Sequence, residues 1–207
     1  MTQVILVRHC ETELSAAKCY SGQMEALLTP RGRRQQEQLA TRLAGEAIGR
    51  IASSDLTRCR TLAEAIAVPR ALPVAYDEAL REARFGRWEG LTYEEALAGD
   101  PEAMAAFNND PARTAPPDGE SLATAGDRAL ALLMMLVQQH RNREDALLII
   151  GHGGTLRAVL CLLLHIPLER YWTLRLDPAS LTRLDCYPYG SILEELNSTD
   201  HLCDVRP

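Results

Sequence analysis

Two stretches of the chain share one design. "VILVRHCETE" (4–13) and "ALLIIGHGGTLRAV" (146–159) each run through consecutive apolar residues and then stop at a histidine. An unbroken apolar run of strand length fits a strand buried on both faces, the situation in a parallel sheet covered by helices on each side. Polar groups then come where the carboxyl end of the strand meets the surface, and ligands of such sheets bind at that end. This feature constrains the fold more than any other, because it predicts an α/β chain, arranged as a three-layer α/β/α sandwich with a mostly parallel central sheet and a lid-like insertion.

The segments between support that layout. "LLTPRGRRQQEQLATRLAGE" opens a helix with Thr29 as cap and Pro30 at its first position, and Leu39, Leu43 and Ile48 recur near helical spacing. In "GRIASSDLTRCRTLAEAIA" a short apolar run reaches Ser53-Ser54-Asp55, and a helix follows with Leu56, Cys59, Ala63 and Ile66 on one face. "LPVAYDEAL" is a further strand ending near Asp77, and 120–140 reads as a long helix in which Met134 and Met135 are core fillers. Residues 83–119 differ: an aromatic cluster leads into a Pro/Gly/Asp/Asn-rich end with short helices at most, the mark of a binding excursion over a site. The expected organisation is a single domain over 1–197, with the 83–119 insertion forming part of the pocket and 198–207 as a loosely held tail.

Composition removes several function classes. A net charge of -6 without a Lys/Arg run argues against nucleic acid or a membrane surface as partner. Apolar stretches fall well short of the roughly 20 residues a membrane span needs, and the first residues lack a basic segment followed by a long apolar one, so a cytoplasmic protein is expected. The six cysteines show neither CxxC pairing nor histidine partners at zinc-finger spacing, which predicts free thiols.

The chemistry gathers at three strand ends: Arg8-His9, Arg58 and Gly151-His152-Gly153-Gly154. Glycines let backbone approach a ligand, and the helix after them offers N–H groups to an anion. Arg58 falls in the first turn of its helix, where the dipole disfavours a cation unless an anion lies beside it. Each residue alone has an ordinary reading, as a surface arginine or a satisfied loop histidine. Together they predict an anion site.

"VRHCET", "SSDLTRCRTLAE" and "GHGGTLR", in this order and spacing, resemble the histidine phosphatase superfamily, also called phosphoglycerate mutase-like, over about residues 3–190. Cys10 stands where the family usually has glycine, and Ser15 where it often has asparagine. The resemblance implies that His9 is the nucleophile and forms a phosphohistidine. It also implies that Arg8, Arg58 and His152 bind the phosphate oxygens, and that Glu82 in "LREARFGRWEG" protonates the leaving oxygen and then takes a proton from water. Ser15, Gly22, Gly153 and Thr155 complete the expected phosphate or substrate contacts. No metal and no cofactor are expected, since the arginines supply the charge.

"CYSGQMEALLTPRG" and "EARFGRWEGLTYEEA" further resemble the α-ribazole phosphatases of cobalamin assembly, and share elements with sugar-phosphate and phosphoglycerate phosphatases. The implied partner is a small phosphorylated substrate; a homodimer is left open. A mutase or a non-catalytic phospho-ligand module are the further alternatives. Tyr20, Phe85 and Trp88 are either an apolar wall for the leaving group or anchors of their loop. If exposed beside Arg8 and Arg58, Cys10 would favour its thiolate and be open to oxidation, whereas Cys59 shares the buried helix face.

Overall fold

The structure, a computed structural model, describes residues 1–202. In chain order it contains β1 (Thr2–Arg8), α1 (Glu13–Ala16), α2 (Pro30–Leu43), β2 (Ile48–Ser53), α3 (Thr57–Ala67), β3 (Val74–Tyr76), α4 (Tyr93–Gly99), α5 (Pro101–Asn109), α6 (Leu122–Gln139), β4 (Ala146–Gly151), α7 (Gly153–Leu163), β5 (Leu181–Tyr187) and β6 (Gly190–Ser198). The strands form one six-stranded sheet in the order β3-β2-β4-β1-β5-β6.

The two apolar runs become the central neighbours β1 and β4, paired in parallel so that Arg8 lies opposite Gly151. Alternation across the pleat then divides their side chains. Ile5, Val7, Leu148 and Ile150 pack under α2 and α3 against Leu39, Leu43, Leu62 and Ile66. Val4, Leu6, Leu147 and Ile149 pack under α6 and α7 against Leu133, Leu136, Val159 and Leu160. Burial of each such side chain contributes about 1.5–3 kcal/mol, so both strands are fixed in depth and register by layers on either side. This is the α/β/α sandwich. Among the described residues, no helix is long and apolar enough to cross a membrane.

Most of the sheet is parallel. β1, β4, β2 and β3 run in parallel, but β5 pairs antiparallel with β1 and β6 antiparallel with β5, a hairpin that the sequence reading passed over. Three expectations are corrected. Ile48 does not continue α2: the helix ends at Leu43, the Ile48 N–H donates to the Glu46 carbonyl in the turn that follows, and Ile48 opens β2 opposite Ala146. Met134 and Met135 are not core fillers but are 44% and 48% exposed, because α6 turns Ala125, Ala129, Leu133 and Leu136 inward and these two fall off that stripe. The stretch expected to be loose from 198 onward is held as far as Leu202: Ser198 pairs with Leu181, the His201 ring bonds the Ala179 carbonyl, and Leu202 is fully buried in the α2/α3 layer. Residues 203–207 lie outside the described residues.

The insertion carries α4, α5 and a third small core of Trp88, Ala96 and Met104, with Tyr20, Phe85 and Phe107 against it. Backbone bonds from Tyr20 N–H to the Leu91 carbonyl and from Gly90 N–H to the Tyr20 carbonyl, each 2.9 Å, tie it to the loop after α1.

Candidate active site

At the carboxyl ends of β1 and β4 lies a cavity of about 320 Å³. Arg8, His9, Ser15, Gly22, Arg58, Glu82 and Gly153 line it, together with Lys18, Cys19, Tyr20, Phe85, Arg157 and Tyr171. His152 is fully buried against Arg58, and Thr155 is buried on the side of Glu82.

His9 follows directly on β1, its N–H donating to the Gly151 carbonyl at 3.0 Å. Its Nδ1 lies 2.7 Å from the Cys10 carbonyl oxygen. A carbonyl only accepts, so Nδ1 carries the proton and Nε2 keeps a lone pair. Burial, and after it the charges of Arg58 and Arg8, hold the His9 pKa well below the ordinary histidine value. The imidazole is therefore neutral, in the tautomer a nitrogen nucleophile needs.

Arg58 is 1% exposed and held at every nitrogen: Nη1 donates to the Met24 carbonyl and Nη2 to the Gly22 carbonyl, both at 2.7 Å, while Nε donates to His152 Nδ1 at 3.2 Å. Its helix has no side-chain cap of its own; the Glu25 carboxylate accepts from Thr57 N–H at 3.1 Å instead. Arg8 is held less completely. Its Nη1 donates to the Leu176 carbonyl at 2.6 Å, but its Nε is shut off from solvent without a partner among the described residues. Burial and the neighbouring Arg157 pull the Arg8 pKa down to about 10. A bound oxyanion would relieve the repulsion between the two guanidinium groups. Arg157 went unread in the sequence, although it stands one turn past Gly153 on α7 and so shares the face that meets the strand end.

Glu82 occupies the place foreseen for the anion at the N-terminus of α7. Its Oε2 accepts from Gly154 N–H at 2.9 Å; its Oε1 accepts from Thr155 N–H at 2.8 Å and from its neighbour Ala83 N–H at 3.0 Å, with the Thr155 hydroxyl also at 3.0 Å. Thr155 thus serves Glu82 where a phosphate contact was expected. The two glycines make room for side chains as much as for ligand: a Cβ on Gly154 would lie 2.8 Å from Glu82 Oε1, and one on Gly153 would lie 3.2 Å from the Arg8 guanidinium.

The other expected contacts are local fittings at the cavity wall. The Ser15 hydroxyl donates to the Thr12 carbonyl at 3.0 Å in the capping box of α1. Gly22 offers its carbonyl to Arg58; its φ of +45° and a Cβ position 2.0 Å from Glu89 Oε1 explain the glycine. Glu89, another residue the sequence reading passed over, ties this loop to the insertion by accepting from the Gln23 and Phe85 N–H groups. Tyr20 and Phe85 form the aromatic wall with ring centroids 4.8 Å apart, while Trp88 is 2% exposed and anchors the insertion behind them.

Cys10 does not meet the condition of exposure beside Arg8 and Arg58. Its side chain points into the α2/α3 core, fully buried, and that burial pushes the thiol pKa up. Cys59 is buried as expected, its pKa raised to about 12.

Comparison with known proteins places this geometry. The sequence model of the histidine phosphatase superfamily, branch 1, matches residues 4–199. Phosphoserine phosphatase 1 of Hydrogenobacter thermophilus is 31% identical, over 98% of this chain and 95% of its own length. The adenosylcobalamin/alpha-ribazole phosphatase of Escherichia coli is 30% identical, over 93% of this chain and 94% of its own. The solved structure of Bacillus stearothermophilus YhfR superposes with a TM-score of 0.90 at 28% identity, covering 98% of this chain and all of that one. Matched along nearly its whole length in sequence and in fold, the chain belongs to the histidine phosphatase superfamily as one of its phosphomonoester hydrolases.

Proposed function

We propose that the chain hydrolyses small phosphomonoesters in the cytoplasm through a phosphorylated His9. The observation that carries this is the bond from His9 Nδ1–H to the Cys10 carbonyl, which leaves Nε2 as a neutral lone pair at a cavity lined by Arg8 and Arg58. Nε2 attacks phosphorus, the ester P–O bond breaks, and the leaving oxygen takes its electron pair and a proton from Glu82. Of the two carboxyl oxygens Oε2 accepts the single bond, so it is the one with capacity for that proton. Arg8 and Arg58, both at the cavity wall, hold the transferring oxygens and offset their charge. Water then attacks the phosphohistidine, the P–N bond breaks, and the proton released goes back to Glu82.

α-Ribazole phosphate is the first substrate candidate, supported by the Tyr20–Phe85 wall and by the relative from Escherichia coli. A phospho-acid such as phosphoserine is second, supported by Arg157 as a further cation in the cavity lining and by the relative from Hydrogenobacter.

Phosphate release in EDTA from α-ribazole phosphate, phosphoserine, 3-phosphoglycerate and p-nitrophenyl phosphate, with His9→Ala as control, tests the proposal. The expected result is release that survives EDTA and disappears in the variant, together with a base-stable, acid-labile phosphoenzyme; the ranking of kcat/KM chooses the substrate class. Full turnover by His9→Ala would remove the mechanism.

A further inference from the structure

We infer that Arg128, paired with Glu120, is a positioning residue for the proton transfer assigned to Glu82; the inference rests on that assignment. The short 3-10 turn Glu78–Leu80 and the irregular residues after it lie outside the sheet, so their carbonyls have no ladder to join. One guanidinium from α6 gathers them. Arg128 Nη1 donates to the Ala79 carbonyl at 2.7 Å and the Arg81 carbonyl at 2.9 Å, with the Glu78 carbonyl at 3.4 Å, and Nη2 donates to the Glu82 carbonyl at 3.0 Å.

The same guanidinium is fixed from its far side. Nη2 meets Glu120 Oε1 at 2.8 Å and Nε meets Oε2 at 3.3 Å. Glu120 Oε1 also accepts from Arg84 N–H at 3.0 Å, so the pair holds the backbone on both sides of Glu82. Gln23 Nε2 adds a bond to the Glu82 carbonyl at 3.2 Å, from the loop whose Gly22 carbonyl holds Arg58. Arg128 lines a different cavity from the one that holds His9, and its hydrogen bonds reach the site only through the segment it holds.

The two ends of Glu82 are thus secured by different elements, the main chain by α6 and the carboxylate by the N-terminus of α7. A planar fork with five donors is suited to several carbonyls and a carboxylate at once, which an ammonium is not. Loosening it would let the carboxyl drift from the leaving oxygen, and misplacement of about 1 Å is enough to cost about 10²-fold.

The test uses a readout that a merely structural role would not move. p-Nitrophenolate leaves without a proton, whereas an alkoxide needs one, so loss of a positioned acid shows as a bias between leaving groups. kcat/KM covers the steps through phosphoenzyme formation, where that proton moves. In Arg128→Gln we expect kcat/KM for glycerol 3-phosphate to fall by about 10²-fold while that for p-nitrophenyl phosphate falls by less than about threefold. Arg128→Lys should recover part of the alkyl rate. Glu120→Gln, which keeps the shape of the pair, should show the same bias to a smaller degree, and it carries the test if Arg128→Gln does not fold.

Equal losses on both substrates, or an unchanged ratio in all three variants, would overturn the inference. Glu82→Gln, measured in parallel, separates the two levels. Bias in Glu82→Gln but none in the Arg128 and Glu120 variants removes the positioning role alone; no bias in Glu82→Gln removes the acid assignment and this inference with it.

Discussion

Arg58 Nε donates to His152 Nδ1 across 3.2 Å, and that bond decides what is left of each residue for chemistry. With Nδ1 accepting, the proton of His152 sits on Nε2, which meets the Ser54 hydroxyl at 2.9 Å. Both ring nitrogens are thus engaged by protein groups, and the ring turns the Arg58 fork toward the cavity.

His152→Ala should therefore act through Arg58. Losing one hydrogen bond to a charged group, about 1.5–3 kcal/mol, predicts a fall in kcat/KM of roughly 10- to 100-fold. In a double-mutant cycle with Arg58→Ala the two losses should be far from additive. Additive losses would mean that the two side chains act independently.

Gly153→Ala and Gly154→Ala should separate the two halves of the site. Both positions lie in the first turn of α7 with ordinary helical geometry, so alanine does not strain the backbone, and the change falls on the side chain each methyl meets. The added methyl at 154 meets the Glu82 carboxylate and the one at 153 meets the Arg8 guanidinium. Gly154→Ala should depress kcat on alkyl phosphates, and Gly153→Ala should mainly raise KM. Kinetics like those of the parent in both variants would show that neither contact bears on turnover.

The reactive thiol should be Cys19 and not Cys10. Cys10 is fully buried with its thiol pKa pushed up by that burial, whereas Cys19 is half-buried and lines the cavity beside Lys18 and Arg58. Iodoacetamide should inactivate the enzyme, inorganic phosphate should slow the loss, and Cys19→Ser should abolish the sensitivity while Cys10→Gly retains it. Labelling of Cys10 in the folded protein, read by peptide mass spectrometry, would contradict this.

Stability should fall on the acid side of neutrality. Burial, followed by the charge of Arg58, keeps the pKa values of both His9 and His152 well below the ordinary histidine value. Above about pH 6.5 neither folded nor unfolded chain binds these protons; below it the unfolded chain takes them up and the folded chain refuses them. Unfolding free energy should then drop by up to about 1.4 kcal/mol per pH unit for each histidine, and half-buried His201 adds in the same sense. Urea unfolding between pH 7.5 and 5, above the range where carboxylates titrate, measures this. A midpoint that does not move would show that the histidines are accessible to protons in the fold.

Much of the site was legible because its polar residues are local punctuation on buried strands. Arg8-His9 and Gly151-His152 end apolar runs, Thr29 and Pro30 open α2, and the first-turn Arg58 follows β2, all features of contiguous sequence. The antiparallel hairpin was missed because β5 and β6 carry mixed burial in place of an unbroken apolar run. The burial of Cys10 stayed open in the sequence because adjacency along the chain does not tell which way a residue just past the strand points.

The sequence by itself determined the layered fold and the strand ends where chemistry gathers, since hydrophobic period and helix caps act over a few residues. Only the tertiary structure decided which partners those residues take. The Glu82 carboxylate reaches Gly154 across 72 residues, Arg58 reaches His152 across 94, and Arg128 reaches the Glu82 carbonyl across 46. Such pairings follow from which elements the sheet order brings side by side, and they satisfy buried donors and acceptors whose partners no local pattern names.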